Sequence, residues 1–438
     1  MRFGASQLAS ALGATMHGPD VELEGAEFDS RLLTAGRLFV PIVAERDGHD
    51  FVADAVSRGA PAYLTARGRV EGVEAVAIEV DDTAKALMDA ASWARGRLDA
   101  SAIGLTGSVG KTSTKDLLAG ALAPTFAVTA NERSFNNEQG LPVTILNADD
   151  RTEVLVLEMG MRGFGEIARL CDVARPGIGI VTTVGASHTE RVGGVEGVAT
   201  AKRELVEALD PSGTAILNAD DPLVDAMAEH TVAGVLRYGT ASAADVHVTD
   251  LELDELARAR FSVRTPWGEA RIRLAVSGAH MAANAAAAIT AAGVLGVPLE
   301  VVASSLEQTG VSGMRMEITR TATGALVVND AYNANPTSMM AALDALAAMD
   351  ATRRIAVLGP MAELEDAPAA HRQVAAYATA LALELVAVGT ELYGVAPTPD
   401  PLGVLGALGA GDAVLVKASR VAGLERLANG LTGRDATS

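Results

Sequence analysis

The stretch Ala102-Ile103-Gly104-Leu105-Thr106-Gly107-Ser108-Val109-Gly110-Lys111-Thr112 decides the fold. A short apolar strand, Ala102 to Leu105, runs into a glycine-rich turn, and the turn opens a helix pattern from Thr112 to Leu122. Strand, turn and helix in that order are the context a phosphate loop requires. Glycines such as Gly107 and Gly110 let backbone N–H groups, that of Ser108 among them, face phosphate oxygens. The helix start adds partial positive charge. Lys111 can reach the β- and γ-phosphates of a nucleotide, and the Thr112 hydroxyl can ligate Mg2+. The general pattern has Gly six residues before the lysine, where Leu105 stands here.

Outward from this turn, strands and helices alternate. Val154-Leu155-Val156-Leu157 is a continuous apolar run, as expected of a parallel strand covered on both faces. Glu158 follows it directly and fits the metal-holding carboxylate that a phosphate loop needs at the end of a neighbouring strand. Ile178 to Val184 reads as a further strand, and the unit as a doubly wound sheet. Before it, short apolar runs such as Leu38-Phe39-Val40 alternate with helical stretches such as Phe51 to Arg58. After it, strands are expected at Ala325 to Val328, Arg354 to Leu358, Leu385 to Val388 and Ala413 to Val416, with a helix at Ser338 to Met349. The predicted fold class is α/β in three domains. These are an N-terminal mixed α/β domain (1–98), a central P-loop ATPase-like parallel sheet (99–310) and a C-terminal Rossmann-like α/β domain (311–438).

Composition narrows the function classes. The 438 residues are 49% apolar but only 3% aromatic, so the cores must be built from Ala, Val, Leu and Ile. A net charge of −20 argues against nucleic acid as a partner. The single cysteine, Cys171, excludes an internal disulfide and reads as a small buried hydrophobe. Met281 to Leu299 is uncharged but Ala-rich and interrupted by Asn284, Gly293 and Pro298, so a buried helix is expected there and no membrane span. Met1 to His17 lacks an export pattern. The expectation is a cytoplasmic protein without stable membrane insertion.

On spacing alone, His188 is a lone histidine after a strand, and Lys202 in Ala199-Thr200-Ala201-Lys202-Arg203-Glu204 reads as a solvated helix residue. Other stretches change their weight. Ser134-Phe135-Asn136-Asn137-Glu138, Gly165-Glu166-Ile167-Ala168, Gly313-Met314-Arg315-Met316-Glu317, Asp330-Ala331-Tyr332-Asn333-Ala334-Asn335-Pro336 and Val416-Lys417-Ala418-Ser419-Arg420 occur in this order. Together with the phosphate loop they resemble the Mur ligase family along nearly the whole chain. That family's loop also lacks the first Gly.

The resemblance implies an ATP-dependent ligase with Mg2+. It would be a monomer that joins a UDP-N-acetylmuramoyl-tripeptide to D-alanyl-D-alanine through an acyl phosphate. Its first domain would bind the UDP-sugar, its second ATP, and its third would complete the ligase. Lys111, Lys202 and His188 would be catalytic. Thr112, Glu158, His188 and a carbamylated Lys202 would hold metal. Asn284 would lie near the adenine, Arg315 would reach the nucleotide from the third domain, and Asp330 would meet the ribose. Ser30, Arg31 and His49 match the UDP-sugar region, Asn136 and Asn137 the muramoyl-peptide region. Tyr332, Asn333 and Asn335 belong to the most discriminating run and are expected on the substrate side.

The sequence departs from the family pattern at Met281, Thr189, Arg191, Pro360 and Glu365. Met281 stands beside the adenine position, and the last two on the expected dipeptide side. Two other readings stay open at this point. One is a related ligase with another amine acceptor, such as a diamino acid. The other is a nucleotide-binding paralogue without catalysis, against which the joint presence of Lys111, Thr112, Glu158, His188 and Lys202 argues.

Overall fold

The computed structural model describes residues 1–132, 135–185, 192–362 and 364–433. The phosphate-loop strand, Ser101–Thr106, sits inside a nine-stranded sheet. Val154–Glu158 and Ile178–Val181 flank it in parallel register, with Val128–Ala130 beyond the first and Thr214–Asn218 beyond the second. The chain leaves Ser101–Thr106 towards one edge of the sheet and returns on its other side at Ile178. The carboxyl end of that strand is therefore a topological switch point, the usual ligand position in open α/β sheets.

Six strands of this sheet were not anticipated, and three of them form an antiparallel edge. Val246–Leu253, Arg258–Thr265 and Gly268–Ser277 pair antiparallel at one edge. Their inner face is apolar, with Val246, Val248, Ala259, Phe261, Val263, Ile272 and Leu274 buried, while Arg260, Arg264, Arg271 and Arg273 are exposed on the other. Such one-sided alternation marks an antiparallel sheet that faces water on one side.

Met281–Val294 is a helix buried on nearly every side, and it packs on the phosphate-loop helix Lys111–Leu122. Alanine explains both facts. It has the strongest helix propensity and the smallest side chain that still excludes water. At Gly293 the fit is tighter still, because a Cβ there would lie 2.3 Å from the Trp267 ring. No helix among the described residues is long and apolar enough to cross a membrane.

The first domain holds a five-stranded mixed sheet, ordered Thr15–His17, Val76–Glu79, Ala62–Thr65, Leu38–Phe39 and Ala26–Glu27. Its edge is clipped to the central domain by Asn147, whose amide accepts from Ala26 N at 2.9 Å and donates to Ala26 O at 3.1 Å. The third domain has a five-stranded sheet, ordered Glu317–Arg320, Leu326–Asn329, Asp412–Lys417, Arg353–Leu358 and Glu384–Ala387. All but the first of these strands run parallel. Helix Glu425–Thr432 is the last element of the third domain, and residues 434–438 lie outside the described residues.

Cys171 is 3% exposed with its sulfur 3.8 Å from Met159 Sδ, and burial, aided by Asp172 and Glu204, pushes its thiol up to about 12. At pH 8 the native thiol therefore stays protonated, so a disulfide reagent should leave the folded protein unmodified and titrate one thiol after denaturation. Rapid labelling of native protein would refute this burial. Asn147→Ala removes two bonds and leaves the Ala26 backbone unpaired, which should cost about 1–3 kcal/mol in urea unfolding. It should also speed proteolysis of the first domain. An unchanged midpoint would mean the clip contributes nothing.

Candidate active site

A cleft of about 700 Å³ opens over the carboxyl end of Ser101–Thr106 and is walled by the central and third domains. The phosphate loop forms its floor. Gly107 has φ +151° and a Cβ there would lie 1.8 Å from Thr182 Oγ1, while Gly110 has φ +85° and its Cβ would meet Asn284 Oδ1 at 2.5 Å. Only glycine satisfies both backbone and neighbour at these points. The segment after Ile178–Val181 clamps the turn. Ser108 N donates to Thr183 O at 2.7 Å, and Thr182 Oγ1 donates to Val109 O at 2.6 Å.

Lys111 curls over the loop, its Nζ donating to Gly107 O at 2.7 Å. Burial lowers its pKa, Glu158 opposes that shift, and Arg315 adds to it. Thr112 Oγ1 donates to Glu158 Oε2 at 2.7 Å, and Asn136 Nδ2 donates to Glu158 Oε1 at 2.8 Å. Glu158 is only 1% exposed, and its own N–H is held by Asn131 Oδ1 at 2.6 Å.

Lys202 corrects the reading from spacing. It is 2% exposed and lines the cleft from helix Val195–Glu207. Burying an ammonium costs several kcal/mol unless it is well paired. Burial and the Lys111 charge lower its pKa well below the ordinary lysine value, with Glu158 opposing them. The apolar face of that helix, with Val198, Ala201, Leu205 and Val206 buried, turns Lys202 inward.

Asn284 is buried, and its Nδ2 donates to Met281 Sδ at 3.5 Å, so the departure at Met281 puts a soft acceptor beside it. The third domain contributes Arg315, whose guanidinium carbon is 4.3 Å from the Tyr332 ring centroid. Both its neighbours are left-handed without being glycine, Met314 at φ 60° and Met316 at φ 50°. Such residues cost about 1–3 kcal/mol each and cluster at functional sites. Asp330 is paired with buried Lys417, which also donates to Asn333 O at 2.9 Å.

Gly107, Ser108, Gly110, Lys111, Thr112, Glu158, Lys202, Asn284, Arg315 and Asp330 thus share one cleft, and Asn136, Asn137, Tyr332, Asn333 and Asn335 line it too. Several of these amides also do local work. Asn137 Oδ1 accepts from Gly140 N at 2.9 Å, and Asn335 caps helix Pro336–Ala348 through Ser338 N at 2.9 Å. Ser30, Arg31 and His49 do not line the cleft. Arg31 pairs with Asp29, and both His49 nitrogens are engaged, Nδ1 by Asp47 at 2.6 Å and Nε2 by Ala66 N at 3.0 Å. His188, Thr189 and Arg191 lie outside the described residues. Pro360 and Glu365 do not line the cleft either, and Glu365 is exposed.

Among the lining residues missed as site residues, Lys417, His280 and Arg162 carry ionisable groups. Lys417 ends an apolar parallel strand, a signal the sequence did carry. His280 keeps a buried Nδ1 with no partner among the described residues, and burial lowers its pKa. Nothing local in the sequence marks Arg162.

Comparison with known proteins agrees with this geometry. The Mur ligase middle domain matches residues 105–292, and the Mur ligase glutamate ligase domain matches 314–420. The UDP-N-acetylmuramoyl-tripeptide–D-alanyl-D-alanine ligase of Mycobacterium tuberculosis is 41% identical, over 93% of this chain and 92% of that protein. A crystal structure of MurF from Acinetobacter baumannii superposes with a TM-score of 0.88 at 28% identity, covering 99% of each chain. MurF from Thermotoga maritima in complex with ADP superposes at 0.82 with 26% identity, over 94% of this chain and 97% of that one. The chain belongs to the Mur ligase family.

Proposed function

We propose that this protein ligates UDP-N-acetylmuramoyl-tripeptide to D-alanyl-D-alanine at the cost of ATP, in the cytoplasm, with Mg2+. The observation that carries the reading is the convergence of Lys111, Thr112, Glu158 and Lys202 with Arg315 and Asp330 of the third domain in one cleft. The names of the relatives support the substrate pair. The domains are assigned as 1–98 for the UDP-sugar, 99–310 for ATP and 311–438 for completing the ligase.

The chemistry begins with a poor electrophile. A carboxylate oxygen of the tripeptide attacks the γ-phosphorus of ATP, the bond to the bridging oxygen breaks, and ADP leaves. The amine nitrogen of the dipeptide then attacks the acyl carbon and loses its proton, and inorganic phosphate departs. The obstacle to the first step is repulsion between a carboxylate and a polyanion. Lys111 from the floor and Arg315 from the third domain bring positive charge into the cleft, where low dielectric strengthens their effect. Closure between the two domains keeps water from the acyl phosphate.

The site suits a hard divalent cation. Thr112 and Glu158 offer oxygen donors 2.7 Å apart at the foot of the phosphate loop. Bound there, Mg2+ would screen the triphosphate charge. Lys202 as an ammonium would repel it. Burial favours the neutral amine, and a neutral amine adds CO2: the N–C bond forms, a proton leaves, and the resulting carbamate offers two oxygens to metal. His188 is assigned to the same metal set by family resemblance.

The direct test supplies purified protein with MgATP, UDP-N-acetylmuramoyl-tripeptide and a panel of amines, with products read by mass spectrometry. D-alanyl-D-alanine should be joined, and preference for a single diamino acid would select the alternative acceptor. Lys111→Ala should lower turnover by at least about 100-fold, the usual scale for losing a transition-state charge partner. Near-normal ATP turnover in that variant would remove the loop from the mechanism. Lys202→Ala should also lose activity and regain part of it with added short carboxylates. If no such rescue occurs and the intact protein carries no carbamate mass, the Lys202 assignment fails.

A further inference from the structure

The helix that carries Lys111 and Thr112 also holds, one turn further on, an ion pair that touches no reacting atom, its lysine buried and its aspartate half-buried. Lys115 is 3% exposed, with Nζ 3.0 Å from Asp116 Oδ1 and 2.6 Å from Asn131 O, to which it donates. Asn131 in turn holds the N–H of Glu158 at 2.6 Å. The other Asp116 oxygen accepts the backbone N–H of Ser312 at 2.7 Å, a contact spanning 196 residues of sequence.

Ser312 lies between helix Leu299–Leu306 and strand Glu317–Arg320, on the segment that joins the central and third domains. The same segment presses on the phosphate-loop helix again at Gly120, where a Cβ would lie 2.2 Å from Thr309 Oγ1. Three residues past Ser312 stands Arg315, between the left-handed Met314 and Met316. Met316 N is held by Asp330 Oδ1 at 3.1 Å. The short loop bearing Arg315 is thus pinned at both ends, by Asp116 before it and Asp330 after it. Met314 is held inside the third domain as well, its N–H by Glu317 Oε2 at 3.2 Å and its carbonyl by the Tyr332 N–H at 3.3 Å, so where Ser312 is fixed sets where this whole Arg315 loop meets the phosphate-loop helix.

A pair with its lysine withdrawn from water is an expensive way to hold a helix, since apolar residues of similar volume do so as well or better. The pair has its best physical use in fixing registry. We propose that Asp116 is a positioning residue for ligation: it anchors the interdomain segment to the phosphate-loop helix so that Arg315 enters the cleft aligned with the bound nucleotide. The inference rests on the ligase reading given above.

The test uses the full chain as Asp116→Ala and Asp116→Asn, with steady-state ligation, thermal midpoints and amide hydrogen exchange over residues 308–318. Asparagine keeps an acceptor for Ser312, and alanine does not. Asp116→Ala should exchange faster over that segment and lose roughly tenfold or more in kcat with little change in KM for ATP, as expected when a group is displaced by about an ångström. Asp116→Asn should recover most of that kcat. Unchanged kcat in Asp116→Ala overturns the proposal. So does an Asp116→Asn variant as slow as the alanine variant, or a loss of kcat with exchange over 308–318 unaltered. If the wild-type protein makes no amide product, the ligase reading is what fails, and the exchange comparison still decides whether Asp116 anchors the segment.

Discussion

The buried carboxylate of Glu158 is the point on which the rest of the site depends. It is an acid at the end of an apolar strand, almost out of water, and its two oxygens face different parts of the chain. Thr112 ties it to the phosphate loop and Asn136 ties it to the segment after Val128–Ala130. An unpaired carboxylate at this depth would be untenable. Its two hydrogen-bond donors and the nearby Lys111 make it acceptable, and they bring those groups together. The electrostatic need of one side chain thus organises three separate stretches of sequence around the floor of the cleft.

The same logic extends through the scaffold. A parallel strand with both faces covered has no polar side chain along its length, so its chemistry gathers where it ends. Ser101–Thr106 ends in the glycine turn, Val154–Glu158 in its acid, and Asp412–Lys417 in a lysine that meets Asp330. The Ala-rich helix Met281–Val294 then brings Asn284 against Gly110, a contact that a bulkier helix would prevent.

Much of this was legible in the sequence, for physical reasons. The phosphate loop, its flanking strand and its helix follow from local patterns, and Glu158 follows from its place after an apolar run. The four parallel strands of the third domain are likewise continuous apolar runs, found within one or two residues of expectation. The antiparallel strands from Val246 to Ser277 escaped notice because their alternation of arginine and apolar residues is weaker than a continuous run. Lys202 could not be read from spacing, because whether a helical lysine faces water or a cleft depends on what packs on the helix. Ser30, Arg31 and His49 of the first domain lie apart from that cleft, and the His49 ring nitrogens meet Asp47 Oδ1 and the Ala66 N–H.

The division of the cleft between two domains has a consequence for economy. The phosphate loop and Glu158 lie on the central sheet, while Arg315 and Asp330 line the same cleft from a separate domain. A nucleotide held by the floor alone meets an incomplete set of charges and open solvent. Idle phosphate release should therefore be slow whenever the other two reactants are missing, since the fuel is competent only once the halves have come together.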